Sequence, residues 1–499
     1  MKISLQGGHI ERGQVTWLEA RSGGMDRGRG FRPKYVLSVP VQPSATAAAR
    51  EPGLREEYRG LPAPLGPAGI GTVKSKTKGK TRRSVAAATG SQQRRKLAPV
   101  PPGQRRWILA AGFFAAAAAA WLLYAPIAEG FLQVFSDHTI HVSFAEQLYR
   151  THWLPAPHFL YQALIALLVE LRPEWPFKTA ALIVLSVFYA LSGVLLFRET
   201  ARLLVPRECS KARLLRSAAV ALVAAAAILT MQPVIRPGET QMYKIGYFWG
   251  EPYYSPTYSV MKPLALLSAF SAVTFLRRSR SRSGPIVGAA LATTAGALAK
   301  PSFVICLAPA VLVLAGVRLV RRQPFDRRAL LLGLLLPSFA VLGLEYCLSY
   351  GGSASGVSYQ NSIIIAPFSV MRLHSQHLAA KFLLSVLFPV AVYVLYWRKA
   401  RHDTSLNLAA LLFAFGAGYT FLLAEKIGGA AGNFLWSGYI TVFMLFVFAA
   451  LFYVRQLLER PFERREILRH LAAFGLLLLH VRSGVLTEIA FLNAKLGPY

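Results

Sequence analysis

From Trp107 onward the chain is a succession of apolar runs, most of them close to 20 residues long, separated by short polar or basic loops. A bilayer's hydrocarbon core, about 30 Å thick, takes roughly 20 residues of helix. Lipid accepts only helices or closed barrels, because every backbone N–H and C=O must be bonded internally. Runs of this length therefore predict an all-α polytopic membrane protein. Composition agrees: 54% hydrophobic and 16% charged residues and a mean hydropathy of +0.40 are too apolar for a soluble chain of this size.

Spans are expected near 107–124, 177–197, 217–235, 260–276, 285–298, 302–320, 328–348, 380–397, 405–423, 436–454 and 467–482. A twelfth segment, 158–171, reaches only about 21 Å as a helix, which suits a re-entrant or surface-lying piece. The pair 285–298 and 302–320 is separated only by Ala299-Lys300-Pro301 and reads as a hairpin with Lys300 at its tip. No repeat of 20 to 50 residues is visible.

A formal charge of +33 would suit a nucleic-acid partner if it lay on one folded surface. Instead Lys and Arg concentrate before the first span and in alternate loops (198–216, 277–282, 318–328, 398–401, 455–465), the positive-inside pattern. That excludes nucleic acid as the expected partner and puts these loops and the N-terminus in the cytoplasm. Residues 1–106 carry 21 Lys and Arg against 6 Asp and Glu and are rich in Gly, Pro and Ser, so they read as a disordered basic cytoplasmic tail ahead of a transmembrane domain over 107–499. The tail does not have the form of a cleavable signal peptide. Cys209, Cys306 and Cys347 make neither a metal motif nor a disulfide framework.

Bookkeeping of the loops places 125–176, 236–259, 299–301, 349–379 and 424–435 on the outer side, provided that 158–171 completes no crossing. In the first of these, Asp137, His138 and His141 follow directly on a span. Asp137 is a candidate general base, its pKa open to tuning where lipid meets water, and equally a candidate N-cap for a helix starting at His138; the two roles are compatible. His138 and His141, three residues apart, can ligate a divalent metal together with Asp137, although a pair at that spacing is a weak signal and no cofactor is expected. The following residues, Ile140 to Trp153, put Ile140, Phe144, Leu148 and Trp153 on one side, as in an interfacial amphipathic helix.

The second outward loop alternates Glu239, Lys244, Glu251 and glycines with Tyr247, Trp249, Tyr253, Tyr254 and Tyr258. Such a mixture serves as a membrane-interface aromatic belt or as aromatic faces with hydrogen-bonding neighbours for a sugar ring. Arg236, Lys244, Lys262, Lys300, Arg372, Lys381 and Lys426 fall on or near the outward side, where few cations are expected. A lipid-linked phosphate would account for them; snorkelling to headgroups is the reading for Lys381. Gln360, Asn361, His374, His377, Glu425 and Asn433 complete the outward polar set, and Glu345, near the outer end of its span, is expected to pair with a cation or bond a neighbouring helix.

The chain resembles the GT-C superfamily of polytopic membrane glycosyltransferases, including a group of uncharacterised bacterial membrane proteins of that type. The likeness rests on Asp137 in the first outward loop and on the helix Ile140 to Trp153 behind it. It continues through Trp153-Leu-Pro155-Ala-Pro157-His158-Phe-Leu-Tyr161, Tyr254-Ser-Pro256-Thr257 with Lys262-Pro263, Lys300-Pro301-Ser302-Phe303 and Gly432-Asn433-Phe434-Leu-Trp436. It spans residues 107 to about 455, and the order of the motifs carries it. It implies an inverting transfer of sugar from a polyprenyl-phosphate donor to a cell-envelope glycan or lipid acceptor, on the outer side of a bacterial inner membrane. Asp137 would be catalytic, and Arg236, Lys262 and Lys300 would bind the donor phosphate. His138, His141, Tyr161, Glu239, Trp249, Tyr254 and Asn433 would bind substrate. The chain departs from the family's Asp-Glu or Asp-Asp pair, which here is Asp137-His138, and from its habit of making the segment after Pro157 a true span. A transporter or flippase of lipid-linked sugar, or a polymerase of lipid-linked oligosaccharides, is the alternative.

Overall fold

The computed structural model describes residues 100–154, 156–239, 246–248, 253–350, 362–426, 432–459 and 464–494. The leader through residue 99, Lys244, Trp249, Glu251, Gln360 and Asn361 lie outside the described residues. Sixteen helices and two three-residue strands make up the rest: α1 (Pro102–Gln133), α2 (Asp137–Thr151), α3 (Leu160–Leu171), α4 (Phe177–Leu204), α5 (Lys211–Thr230), α6 (Pro256–Arg277), α7 (Ser283–Ala299), α8 (Val304–Val320), α9 (Arg327–Leu330), α10 (Leu336–Tyr350), β1 (Ile363–Ile365), α11 (Ser369–His374), α12 (Leu378–Leu395), α13 (Trp397–Ala400), α14 (Thr404–Leu422), β2 (Leu423–Glu425), α15 (Leu435–Glu459) and α16 (Arg464–Asn493). A five-residue π-turn, Leu331–Leu335, joins α9 to α10.

Among the described residues nine helices are long and apolar enough to cross a membrane, so the chain is an all-α polytopic membrane protein. Two of the eleven expected spans fall short of that length: α7 and α8 have 17 residues each, about 26 Å at 1.5 Å per residue. Nor do they form a hairpin packed on itself, since α7 lies along α6 while α8 packs against α14.

The contacts of α1 settle what α3 does. Arg105 donates to the carbonyls of Pro206 and Arg207 at 2.6 and 2.9 Å. Farther along, Gly112 faces Phe197, Ala116 and Ala120 face Gly193, and Tyr124 stacks on Tyr189 with ring centroids 4.0 Å apart. Rising numbers on α1 meet falling numbers on α4, so the two helices are antiparallel. α2 and α3 together thus return the chain to the end of the bundle that α1 reached, and the twelve-residue α3 completes no crossing.

The two ends of the bundle differ in chemistry. At one, Asp403 takes Arg277 at 3.2 Å and Arg455 at 2.7 Å, and Arg318 donates to Thr404 at 2.7 Å. This end holds the C-termini of α6, α8 and α15 and the start of α14. At the other end, the N-termini of α6, α8 and α15 meet α2, the α7–α8 turn and the ribbon of β1 and β2, paired antiparallel with Ile364 opposite Ala424.

Candidate functional site

At this second end lies a cleft of about 630 Å³ whose ionisable lining comprises Asp137, His141, His158, Lys300, Glu345 and Glu425. Its apolar and aromatic lining includes Tyr254, Ile305, Leu342, Ile363 and Trp436. Several expected site residues from distant parts of the sequence therefore meet here: Asp137, His141, Lys300, Tyr254 and Asn433.

Asp137 is presented by the start of α2. Ser136, not Asp137, is the N-cap: its backbone N–H donates to Thr139 Oγ1 at 3.0 Å in a capping box. Asp137 is therefore the first helical residue, and its carboxylate is not spent on capping. The face of α2 turned into the bundle carries His138, His141, Val142 and Ala145, while Ile140, Phe144 and Leu148 are half-buried. The histidines are drawn inward because each finds a partner there.

His138 donates from Nε2 to the Tyr253 carbonyl at 2.5 Å and lies stacked on Phe131, fully buried. Burial pushes its pKa down to about 4, and Tyr253 and Asp137 only partly offset this. His138 does not line the cleft. It is a strut fixing α2 to the loop before α6. Among the described residues no group of three His, Cys, Asp or Glu side chains is placed to hold a metal.

His141 does face the cleft. Gln162 on α3 bonds its Nδ1 at 2.7 Å, and its Nε2 stands 3.7 Å from Asp137 Oδ1. With the Gln162 amide as donor, the imidazole proton belongs on Nε2, the nitrogen that faces the carboxylate. Burial lowers this pKa to about 4; Asp137 pulls it up, while Lys300 pushes in the same direction as burial. Neutral His141 can therefore orient the Asp137 carboxylate without cancelling its charge. Tyr161, expected to touch substrate, is fully buried, sits edge-on to His141 at 6.2 Å, and backs the imidazole from outside the cleft.

Lys300 caps α7, held in the turn that Pro301 continues. Its Nζ donates to Ser255 Oγ at 3.4 Å and Thr257 Oγ1 at 3.2 Å and lies 4.5 Å from the Trp436 ring centroid. Two hydroxyls leave one of three ammonium N–H groups for a ligand. Burial brings its pKa down to about 8, with Asp137 raising it against that trend. Tyr254 lies nearly parallel to Trp436, with centroids 6.5 Å apart, and is 51% exposed. Asn433 donates to Glu425 at 2.9 Å on the cleft rim.

The other two expected phosphate ligands do not line the cleft. Lys262 is buried with its Nζ 5.5, 5.4 and 4.9 Å from the ring centroids of Tyr189, Tyr258 and Phe443, an aromatic cage joining α4, α6 and α15. Arg236 lies 3.8 Å from Glu239, whose other oxygen is 3.3 Å from Lys381. Lys381 is thus ion-paired and buried rather than snorkelling, and Glu239 serves this separate cluster.

Sequence reasoning missed Gln162, Ser255 and Thr257 as site residues. The short spacing of Ser255 and Thr257 beside the Tyr254 motif was a usable sign; Gln162 was hidden in an apolar run and offered none. Comparison with known protein families, curated proteins and solved structures finds no match to this chain.

Proposed function

We propose that this chain is a bacterial inner-membrane glycosyltransferase that moves a sugar from a polyprenyl-phosphate carrier to a cell-envelope glycan or lipid acceptor. The observation that carries this reading is the meeting, in one cleft at the end of a transmembrane bundle, of a carboxylate free of capping duty, an ammonium with one open donor, and an aromatic pair. A carrier held by lipid would present its phosphate and sugar at this height, where the cleft has apolar walls in Ile305, Leu342 and Ile363.

In this mechanism the acceptor hydroxyl attacks the anomeric carbon, and the new carbon–oxygen bond forms as the bond to the phosphate oxygen breaks. The acceptor's proton passes to Asp137, and the phosphate leaves with the bonding electrons towards the Lys300 ammonium. Holding base, acceptor and leaving group together removes most of the entropic cost of the encounter, and the fixed ammonium meets charge where it develops. Trp436 and Tyr254 supply flat apolar faces for the ring, with Asn433 at the rim.

Asp137→Asn tests the reading, because it keeps size and removes the base. Transfer from a polyprenyl-phosphate sugar by the purified protein should fall about 10²- to 10⁴-fold, while binding of the donor lipid is retained. A variant that still transfers sugar, or a wild type that only moves the lipid between leaflets, rejects it.

A further inference from the structure

A second cavity, of about 640 Å³, has no role in that mechanism. Its apolar walls come from Leu378, Ala379 and Phe382 on α12, Phe421 on α14 and Phe368 beside α11. α14 begins at the Arg-rich end, so its last turn, which carries Phe421, lies at the end where the cleft is. α12 and α14 both pack on α15, and Phe382 and Phe421 line the groove with ring centroids 5.7 Å apart. Phe248, fully buried, packs against both rings from the core side. The next residues along the two helices, Leu383 and Leu422, are exposed, which for membrane spans means exposed to lipid. A groove opening between two spans is filled by lipid, because lipid is the solvent there.

Arg372 says which kind. Among the described residues that line the groove it is the only ionisable one. It is exposed, and its guanidinium carbon lies 5.8 Å from the centroid of the Phe368 ring. The carboxylates that could answer it are engaged elsewhere: Glu239 stands between Arg236 and Lys381 at 3.8 and 3.3 Å, and Glu425 accepts from Asn433. A planar fork of donors, at the end expected to face outward and therefore to hold few cations, suits the oxygens of a phosphate. Ser375 and Gln376 put neutral donors on the same rim. Phe368 keeps its place at a backbone cost, since its φ of +59° lies in the left-handed region that glycine takes without strain. The ring held there is both a wall of the groove and a platform for the guanidinium. A zwitterionic head would bring its own cation against Arg372, whereas an anionic head would not.

We propose that this groove is a binding site for an anionic phospholipid of the bilayer, with one chain against Phe382 and Phe421 between α12 and α14 and the phosphate on Arg372. The site is separate from the cleft of Asp137 and Lys300 and stands independently of the reaction there.

The test titrates the full-length protein, in micelles of a neutral detergent, with phosphatidylglycerol or with phosphatidylcholine of the same chains, and reads half-saturation from the rise in unfolding temperature. The wild type should respond to phosphatidylglycerol at a mole fraction about tenfold or more lower. Arg372→Gln should remove that preference, and so should Ala379→Trp, which fills the groove and alters no charge. Arg280→Gln, in the basic loop after α6, should leave it intact. Equal responses of the wild type to the two lipids overturn the proposal, as does a preference that survives Arg372→Gln or Ala379→Trp, or one that is lost in Arg280→Gln. Glycerol phosphate, a head without chains, should not stabilise; stabilisation by it that depends on Arg372 would make the groove a phosphate site instead of a lipid site. A polyprenyl phosphate that outcompetes phosphatidylglycerol through Arg372 would overturn the choice of a bilayer phospholipid and give the groove to a carrier lipid.

Discussion

His141 Nε2 and Asp137 Oδ1 stand 3.7 Å apart, one helical turn along α2. The imidazole is fixed from behind by Gln162 at 2.7 Å. The relation depends on the start of α3 packing against α2, where Gln162 is the third residue of the helix. The short helix after Pro157 is thus what supplies the second support of the candidate base. His138, on the same inward face, ties α2 to Tyr253. α2 is therefore held at two histidines whose neutrality has a measurable consequence.

Acid should destabilise the fold through these two residues. Both are lowered to about 4 by burial, against 6.5 in an unfolded chain, so between pH 6.5 and about 4 the unfolded state binds more protons and stability falls as pH falls. For fully buried His138 the loss by pH 5 is on the order of 2 kcal/mol. Unfolding temperatures in detergent measured from pH 7 to 4.5 should show this acid limb, and His138→Gln should flatten it while lowering the pH 7 value by loss of a good hydrogen bond. A flat profile in the wild type would contradict neutral buried histidines.

Lys300 gives the opposite limb. With its pKa brought down to about 8 by burial, the ammonium is lost as pH rises through that value, whereas an exposed lysine would keep it to above 10. Affinity for a short-chain polyprenyl phosphate, followed by quenching of Trp436 fluorescence or by calorimetry, should drop from pH 7 to 9. Lys300→Met should weaken binding at least about tenfold at pH 7 and remove the pH dependence. Unchanged affinity in that variant would take Lys300 out of the phosphate site.

What was legible in the sequence was the set of helices. Each expected segment appears as a helix, most within a few residues at either end, because apolar length is dictated by the membrane rather than by partners. The largest slip was 467–482 against Arg464–Asn493, whose helix runs on through Arg482 and Glu488 past the apolar run; 217–235 against Lys211–Thr230 slipped the other way, because Pro233 follows in extended chain that continues the apolar run without continuing the helix. Which polar residues would share a cleft was less legible. Lys262 and Lys300 each stand directly before a proline, and nothing local distinguishes them, yet one is enclosed by three rings and the other lines the site. That difference is set by which helices pack on α6, a tertiary fact. Glu345 looked like a residue with a partner because most intramembrane carboxylates have one; only the contacts of α10 revealed an oxygen left open.

Glycines of α14 separate packing from composition. A Cβ at Gly416 would sit 2.0 Å from Thr441 Oγ1 and 2.7 Å from the Ser437 carbonyl, whereas at Gly418 it would meet nothing within 4 Å. Gly416→Ala must push α14 off α15 at the level of the cleft wall and should cost about 1–3 kcal/mol. Gly418→Ala should be neutral or stabilising by up to about 1 kcal/mol, since alanine loses less backbone freedom in a helix. Thermal unfolding of the two variants side by side checks this, and equal effects would refute the close approach of α14 and α15.

Sidedness is tested at Phe135, which is 89% exposed two residues before Asp137. The Arg-rich end of the bundle, where Asp403 takes Arg277 and Arg455, fits the cytoplasmic side by the positive-inside rule, and α1 then delivers residue 135 to the opposite face. In a background with Cys209, Cys306 and Cys347 replaced, Phe135→Cys should react with a membrane-impermeant maleimide added outside intact spheroplasts, while Arg280→Cys in the loop after α6 should react only after lysis. Because α1 and α4 are antiparallel, Arg207→Cys, beside the start of α1, should follow Arg280→Cys rather than Phe135→Cys. Labelling of position 135 only after lysis would invert the molecule and place the cleft in the cytoplasm, where it would meet cytoplasmic substrates instead of outward-facing carrier lipids.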